Sequence, residues 1–335
     1  MTIYDIARQA EVSASTVSRV INHKPGIKES TRKKVQALLD AGNYTPDIAA
    51  RGLVMQSSRF IGILIEDIRV SHHTESAYVI EQAMTRRGYT CITFSTGPSP
   101  EQKAQYIRIL EQRRVEGAIL IGSMFGTPEV AQSIRQHLSG IPVVIANGTL
   151  ALPNVYGVLV DEERGLKNCV AYLAQRGRRQ FAFMLDAKTP SNRSKLAGFA
   201  AGLQAAGLPG ADRVFDALAE GSGPEDVIDR GQAAVAEVLA ACPEVDALLC
   251  STDLVAIGCL RGLKAMNIAV PGQISVIGVD NTLYGKLYAP ALTTLDNKLV
   301  EVSLNAARVL LDALVDQAVS HTLMLLPEII VRESS

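Results

Sequence analysis

The chain has 335 residues, of which 47% are hydrophobic and 20% are charged, and its formal net charge is −1. This composition is typical of an ordinary globular protein, and the length favours two or three domains. No run of 18 apolar residues occurs, so neither a membrane-spanning helix nor a membrane partner is expected.

The charges are unevenly distributed along the chain. Positions 1–59 contain nine Lys or Arg residues against five Asp or Glu, whereas positions 60–335 contain 24 against 29. A basic head before an acidic body favours a nucleic-acid contact at the head, although an excess of this size also arises by chance.

Five cysteines are scattered through apolar segments without any Cys-x-x-Cys spacing. We therefore expect free thiols in a reducing compartment and no metal site. The first residues, "MTIYDIARQA", lack the basic and apolar regions of a secretory signal, which favours a cytoplasmic protein.

The first two predicted helices are short and close together. Thr2 and Asp5 stand as N-cap and N3 of a capping box, with Asp in place of the usual Glu, so a helix should cover about Ile3–Ala10. Ser13 can cap a second helix that runs to about Asn22.

The second predicted helix has two unlike faces. Val17, Val20 and Ile21 share an apolar face that can pack on the first helix. The opposite face carries small or hydrogen-bonding side chains, namely Ala14, Ser15, Ser18, Arg19 and Asn22. Such side chains let a helix approach a duplex closely and bind base edges or phosphates. The pattern predicts a helix-turn-helix with its second helix in the major groove.

A third helix is predicted over about Glu29–Ala41, where Val35, Leu38 and Leu39 would close the head. Lys28 precedes this helix, where a capping Ser or Thr is usual. Two interpretations stay open for Lys28: a contact with a DNA phosphate, or an exposed lysine without a function.

The segments "TIYDIARQAEVSASTVSRVIN", "TRKKV" and "YTPDIAARGL" resemble, in order and spacing, the DNA-binding head of the LacI/GalR family of bacterial transcriptional regulators. The resemblance implies a helix-turn-helix DNA-binding domain at 1–45 and a hinge helix or linker at 46–58. The expected DNA contacts are Tyr4, Ser13, Ala14, Ser15, Thr16, Ser18, Arg19, Asn22, Lys28, Thr31, Ala50 and Leu53.

The linker can form only a marginal helix. Pro46 suits a helix start, but Asp47–Met55 gives about two turns and Gly52 weakens them, so we expect order only when DNA holds the segment. In the resembled family this hinge helix inserts a leucine into the minor groove, and the matching residue here is Leu53, beside Ala50. A plain linker is the alternative.

From Phe60 onwards, apolar segments of strand length such as "FIGILIED", "GAILIGS", "FAFMLD" and "SVIGVD" alternate with helical segments. Near-continuous apolar strands that alternate with helices predict parallel sheets covered on both faces. Two such runs predict two similar α/β lobes, and ligands bind such sheets outside the carboxyl ends of the strands.

The segments "VIGVDNTLYGKLYAPALTTLDNKL" and "LLPEIIVRESS" are similar to the body of the same family, a dimeric sensor related to periplasmic sugar-binding proteins. The resemblance implies a multi-domain fold: an all-α helix-turn-helix head and an α/β periplasmic-binding-protein-like body of two doubly wound parallel-sheet lobes. We expect effector binding and dimerisation within 59–335. The expected N-lobe covers about 59–158 and 290–320, and the expected C-lobe about 159–288 and 321–335.

Candidate effector-binding residues follow the predicted strands. Asp280 follows "VIGV", Thr252 and Asp253 follow "ALLCS", and Ser123 follows "GAILIG". The resemblance implies that Asp280 binds sugar hydroxyls, and it places Thr252 where the family usually has Asn. A structural turn is the alternative role for Asp280.

Lys195, in "NRSKLAGF", stands where the family carries an arginine, and Arg193 lies two residues before it. Lysine lacks the bidentate fork of arginine, so an acid or phosphate effector becomes an alternative to a neutral sugar. His72 and His73 occupy a segment that lines the cleft in the family, and they can bind an anion and make binding pH-sensitive. A solvent-facing Arg193 and histidines without a ligand are the alternatives.

No nucleotide-binding glycine motif, phosphate loop, GxSxG elbow or HExxH motif occurs, so no cofactor, metal or catalytic residue is predicted. We expect a DNA-binding regulator, favouring a repressor, whose homodimer binds a pseudo-palindromic operator in double-stranded DNA. Its effector is expected to be a sugar, a sugar acid or a sugar phosphate. The family's tetramers add a heptad helix after the last strand, and none follows here. The alternatives are a sugar-binding protein without a DNA role and a carbohydrate-modifying enzyme.

Overall fold

The computed structural model describes residues 2–21, 24–41, 58–217 and 223–335. They form two compact units, one within 1–58 and the other within 59–335. No helix of the described ranges is long and apolar enough to cross a membrane. Three predicted DNA contacts and most of the predicted hinge lie outside these ranges: Asn22, Ala50, Leu53 and residues 46–57.

The first unit has three helices: α1 (Ile3–Ala10), α2 (Ala14–Ile21) and α3 (Glu29–Ala41). Thr2 Oγ1 accepts a hydrogen bond from the Asp5 amide at 3.2 Å, and the Thr2 amide donates to Asp5 Oδ2 at 2.9 Å. This is the predicted capping box. Ser13 Oγ accepts from the Thr16 amide at 3.2 Å, which confirms Ser13 as the cap of α2.

One face of each helix forms the core of this unit. Ile6, Val17, Val20 and Val35 are fully buried. Each such side chain contributes about 1.5–3 kcal/mol relative to an exposed position. The apolar face of α2 therefore points inward, as predicted, and its face of hydroxyls and arginine is left at the surface.

The second unit contains two sheets of six strands. The strands of the first sheet are β1 (Phe60–Ile65), β2 (Thr90–Ser95), β3 (Gly117–Ile121), β4 (Val143–Ala146), β5 (Val155–Val160) and β11 (Thr322–Leu325). Their order is β11-β5-β4-β3-β1-β2, and all neighbours are parallel. The helices of this first lobe are α4 (Ser71–Thr85), α5 (Pro100–Gln112), α6 (Pro128–His137) and α12 (Leu299–Leu314).

The strands of the second sheet are β6 (Phe181–Leu185), β7 (Val214–Asp216), β8 (Ala247–Cys250), β9 (Ser275–Val279), β10 (Thr293–Asp296) and β12 (Glu328–Ile330). Their order is β12-β10-β9-β8-β6-β7. The helices of this second lobe are α7 (Glu162–Gln175), α8 (Pro190–Ala206), α9 (Pro224–Ala241), α10 (Asp253–Ala265) and α11 (Leu283–Leu287).

The edge strand β12 departs from the predicted parallel sheets, because it runs antiparallel to β10. Only residues 326–327 separate it from β11 in the first sheet.

The chain passes between the lobes at 161, at 297–298 and at 326–327, given the sheets to which β5, β10, β11 and β12 belong. The expected ranges 290–320 and 321–335 differ from this, since β10 lies in the second sheet and β11 in the first. β10 pairs with β9 in the second sheet, and the buried hydroxyl of Thr294 also donates to Asp253 Oδ1 at 2.6 Å within the second lobe. Such polar buried contacts leave no apolar pattern from which to predict them.

Candidate functional site

The predicted DNA-contacting residues of the head gather at α2 and beside it. Those at α2 are Ser13, Ala14, Ser15, Thr16, Ser18 and Arg19. Ser13 Oγ lies 2.8 Å from Ser15 Oγ and 2.9 Å from Thr16 Oγ1, so the hydroxyls at the start of α2 form a short chain. Arg19 is exposed. This surface combines small side chains, hydroxyls and one guanidinium, which suits close contact with a duplex.

Three further predicted contacts lie on the other two helices or at their ends. Tyr4 on α1 has 71% of its surface exposed, a large fraction for an aromatic side chain. Lys28, just before α3, is also exposed, whereas Thr31 in the first turn of α3 is half-buried. Lys28 is therefore open to a phosphate, and the alternative of an exposed lysine without a function remains.

In the second unit, a cavity of about 370 Å³ lies between the two lobes. Its size is that of a small-molecule site. Polar residues within two positions of the carboxyl ends of strands of both sheets line it: Glu66, Ser123, Asn147, Asp186, Thr252, Asp280 and Asn297. The carboxyl ends of the two sheets therefore meet at one cavity, as the strand pattern predicts for this fold.

Lys195 lies buried in the cavity wall, and its ammonium group is already bound. Nζ donates to Asn192 Oδ1 at 3.1 Å and to the Ser251 carbonyl at 2.9 Å, and it lies 3.7 Å from Glu162 Oε1. Burial opposes the charged form, but the carboxylates of Glu162, Asp280 and Asp186 outweigh burial and raise the pKa of Lys195. The charge of Lys195 is therefore balanced by carboxylates of the protein itself.

Glu162, the first residue of α7, connects the two lobes. Its Oε1 accepts from Asn147 of the first lobe at 3.3 Å, from Ser191 of the second lobe at 2.8 Å and from Asn297 at the crossing at 3.1 Å. A second contact between the lobes lies nearby, where Ser123 Oγ accepts from the Ser191 amide at 3.1 Å. Ser123 thus helps to join the lobes at the cavity wall.

Asp186 and Asp280 present carboxylates to the cavity. Asp186 accepts from Ser251 Oγ at 2.7 Å and from Thr252 Oγ1 at 3.3 Å. Asp280 accepts from Asn297 Nδ2 at 3.3 Å, and its φ of 105° is unusual for a residue other than glycine. Burial raises the pKa of Asp280, although Lys195 acts against this. The strained backbone at Asp280 is typical of functional positions.

Asp253 has its carboxylate turned to the protein. Oδ2 accepts from the amide of Thr282 at 2.7 Å and from its hydroxyl at 2.9 Å, and Oδ1 accepts from Thr294. Burial, followed by the charge of Asp280, raises the pKa of Asp253 to about 7. These contacts favour a structural role over the ligand contact that the sequence led us to expect. Arg193 is exposed and does not line the cavity.

The paired histidines line the cavity in neutral form. Burial lowers the pKa of His72 to about 4 and that of His73 to about 3, with the positive charge of Lys195 adding to the effect at His72. His73 Nδ1 lies 3.2 Å from the Asp67 carbonyl oxygen and so carries the proton of the neutral ring. Neutral rings provide no charge for an anion, so the expected role as an anion site loses support.

Several cavity residues were not among those predicted from the sequence: Asn147, Glu162, Asp186, Ser191, Asn192 and Asn297. Asp186 and Asn147 directly follow strands, and this position was a usable signal. Glu162 gave no such signal, because it lies between Asp161 and Glu163 in a helix start where acidic residues are ordinary.

Comparisons with known proteins agree with this architecture. Residues 2–47 match the lacI family of bacterial regulatory proteins, and residues 170–335 match a periplasmic binding protein-like domain. The HTH-type transcriptional repressor PurR of Vibrio parahaemolyticus is 31% identical over 336 residues, which cover 99% of this chain and 98% of PurR.

Two solved structures share the fold. The lac repressor dimer bound to operator and the anti-inducer ONPF has a TM-score of 0.87 at 23% identity, with 100% of this chain and 98% of that chain covered. The complex of the transcriptional regulator CelR with cellobiose has a TM-score of 0.72 at 23% identity and covers 100% of both chains. With the match to PurR along nearly its whole length, the chain belongs to the lacI family of bacterial regulatory proteins and is a DNA-binding transcriptional regulator.

Proposed function

We propose that the protein is a repressor whose homodimer binds a pseudo-palindromic operator. A small effector that enters the cavity either weakens or strengthens this binding. The observation that carries this proposal is the network on Glu162, which joins Asn147 of the first lobe to Ser191 of the second at the cavity wall. A ligand that alters these bonds changes how the lobes are held. It thereby favours one of two states that differ in operator affinity.

In this proposal the head, residues 1–45, reads the operator. Ala14, Ser15 and Arg19 contact bases, and the other predicted residues of the head contact phosphates. Residues 46–58 form the hinge, and Leu53 enters the minor groove next to Ala50. Leu53→Ala is expected to weaken binding most at operators with a flexible central step, as measured by fluorescence anisotropy. If the variant and the parent protein bind such operators with equal affinity, the proposed insertion of Leu53 into the minor groove is wrong.

Exposed apolar side chains support the homodimer. On α11, Leu283, Tyr284 and Leu287 have 64%, 50% and 74% of their surfaces exposed. A cluster of this kind on one short helix is typical of an interaction surface. Two-fold symmetry in the dimer then requires two-fold symmetry in the operator. Leu287→Asp should shift the protein towards monomer in light scattering, and Lys286→Asp, on the neighbouring position, is the matched control.

The effector in this proposal is a small polyhydroxylated molecule. Asp186 and Asp280 offer acceptors to its hydroxyls, while Thr252, His72 and Ser123 border the same cavity. The alternatives of a sugar acid or a phosphate lose support, because the ammonium of Lys195 is committed to Glu162, Asn192 and Ser251.

The alternative functions make different predictions. A sugar-binding protein without a DNA role would show no preferred duplex, and an enzyme would convert its ligand to a product. We propose that the cavity binds its ligand without converting it, since Ser251 and Thr252 both donate to Asp186 and Lys195 is paired with Glu162. Mass spectrometry of the ligand after prolonged incubation checks this, and a time-dependent product would contradict it.

Selection of bound duplexes from a random-sequence pool by the purified full-length chain tests the DNA-binding part. We expect enrichment of a two-fold symmetric site and no enrichment with Arg19→Ala, whose substituted side chain lies outside the core of the head. An enriched site without symmetry would contradict the dimer, and the same site for Arg19→Ala would contradict the role of α2.

A further inference from the structure

The cavity has an excess of negative charge, and this bears on the chemistry of the effector whose existence the proposed function assumes. Five carboxyl groups line it, those of Glu66, Glu162, Asp186, Asp253 and Asp280, while Lys195 is the one cation among its described lining residues. Lys103 Nζ binds the Glu66 carboxylate at 2.6 Å and balances its charge, and the Asp253 carboxylate accepts hydrogen bonds from Thr282 and Thr294. Glu162, Asp186 and Asp280 then face Lys195 alone.

Two buried atoms at this site lack a hydrogen-bond partner within the described residues, and both are acceptors. Nε2 of His73 is one, since Nδ1 carries the ring proton towards the Asp67 carbonyl, and only 3% of His73 is exposed. Oδ1 of Asn297 is the other. The amide orientation of Asn297 is fixed because Nδ2 donates to both Glu162 Oε1 and Asp280 Oδ1, where an oxygen would be repelled.

These acceptors belong to one region of the cavity. Asn297 is hydrogen-bonded to Asp280, all three residues line the cavity, and the charge of Asp280 has a small effect on the ring of His73. Buried acceptors without a donor are costly, so a ligand that brings donors to this region gains affinity. A carboxylate or phosphate would add acceptors to acceptors and negative charge to negative charge.

We propose that the effector carries a protonated primary amine, which binds among Asp280, Oδ1 of Asn297 and Nε2 of His73. An ammonium group has three donors and no acceptor, so it matches one carboxylate and two neutral acceptors. Its charge also offsets the excess of carboxylates, which a neutral hydroxyl does not. Hydrogen bonds between ionised partners are roughly twice as strong as neutral ones, which gives the site a preference for the amine.

The titration of Asp280 is consistent with this ligand. Burial raises the pKa of Asp280, so the empty cavity works against its charged form. A cation beside the carboxylate restores the charged form.

The test uses matched ligands and the full-length protein. Calorimetry and thermal melting compare four forms of one sugar: the amine glucosamine, the neutral glucose, N-acetylglucosamine and the acid gluconate. The same comparison of amine, neutral, N-acetylated and acidic forms is made for galactose and for a disaccharide whose aminated form has two glucosamine units. N-acetylation retains an N–H donor but removes the charge, so it isolates the contribution of the ammonium. We expect an aminated member to bind at least tenfold more tightly than its neutral, acetylated and acidic counterparts.

Asp280→Asn is the informative variant, because Asn tolerates the positive φ at this position better than most residues. It should weaken binding of the amine at least tenfold and weaken binding of the neutral counterpart by a clearly smaller factor, because a hydroxyl loses one hydrogen bond whereas the ammonium also loses its countercharge. Glu163→Gln is the matched control: Glu163 also carries a carboxylate on α7 but is exposed and does not line the cavity. His73→Leu, which removes one acceptor without changing charge, should weaken the amine severalfold.

Three outcomes overturn this proposal: a neutral or acidic member that binds as tightly as its amine, an aminated set in which no member binds, or unchanged amine affinity in Asp280→Asn. Operator binding separates it from the proposed function. If a neutral sugar binds as tightly as its amine and changes operator affinity, the proposed preference for an amine is wrong but the proposed regulatory function stands. If an amine binds without changing operator affinity, the preference of the cavity for an amine is supported, but the role of that amine as effector is contradicted.

Discussion

Nζ of Lys195 and Oε1 of Glu162 lie 3.7 Å apart, and only 5% and 3% of their side chains are exposed. The same carboxylate oxygen binds Asn147 and Ser191, so this buried pair lies where the two lobes meet. Lys195 thereby holds the acidic wall of the cavity together. The sequence alone predicted a different role for Lys195, namely direct binding of the effector.

Lys195→Met is expected to lower the free energy of unfolding by about 3–5 kcal/mol, because it leaves Glu162 buried without its countercharge. Chemical denaturation measures the loss. The double variant Lys195→Met, Glu162→Gln should recover much of it, since neither charge then remains. A single variant as stable as the parent protein would show that the pair is not needed to hold the wall.

The buried neutral His73 predicts a pH effect with a defined sign. Its pKa is about 3 in the folded protein and near 6.5 when unfolded, so the unfolded chain binds more protons between these values. The free energy of unfolding should therefore fall as the pH drops below 6.5, by up to about 1.4 kcal/mol per pH unit from this residue.

The matched variant for this effect is His73→Gln, which cannot titrate. Between pH 6.5 and 5 its stability should fall less steeply than that of the parent protein, measured by denaturant unfolding at each pH. All other groups titrate in both proteins, so their contributions to the pH dependence of stability cancel when the two proteins are compared. Equal slopes would place a protonated His73 in the folded state.

Gly198 allows α7 and α8 to pack closely. A Cβ atom at this position would overlap the main-chain oxygen of Glu163, which cannot move as a flexible side chain can. Gly198→Ala should therefore destabilise the second lobe by about 1–3 kcal/mol. Gly140→Ala, where no atom lies within 4 Å of the new methyl group, is the control and should change stability by less than about 0.5 kcal/mol. Equal melting temperatures for the two variants would contradict the close packing.

Arg19→Ala addresses the head. Since Arg19 is exposed on α2, we expect unchanged folding of both units and a loss of about 1–3 kcal/mol in the preference for the cognate over an unrelated duplex. Arg8→Ala on α1, another exposed arginine of the head, is the control. A loss of affinity equal for both duplexes would assign Arg19 to a phosphate instead of a base.

Much of the fold was predictable because local signals carry it. The Thr2 and Asp5 capping box, the cap at Ser13 and the two faces of α2 follow from residue spacing. The alternation of apolar strands with helices likewise predicts the two sheets. The crossings were less predictable, since β10 and β11 are short strands whose sheets are decided by contacts distant in sequence, such as Thr294 with Asp253.

The cavity was predictable in its position and only partly in its chemistry. Asp280 and Thr252 follow strands, and both line it. The sequence cannot show that Lys195 is paired with Glu162, since the two positions are 33 apart in the chain, nor that burial keeps His73 neutral. The acidic character of the site therefore emerged only when the residues were placed together.

Occupation of the cavity is expected to change the affinity of the protein for the operator. The most direct measurement is the dissociation constant for the selected operator, by fluorescence anisotropy, without ligand and with a saturating amount of a sugar-like compound that raises the melting temperature. We predict a change of at least fivefold, and weaker operator binding by Arg19→Ala than by the parent protein both with and without the ligand. The same dissociation constant with and without a saturating, demonstrably bound ligand would contradict the account.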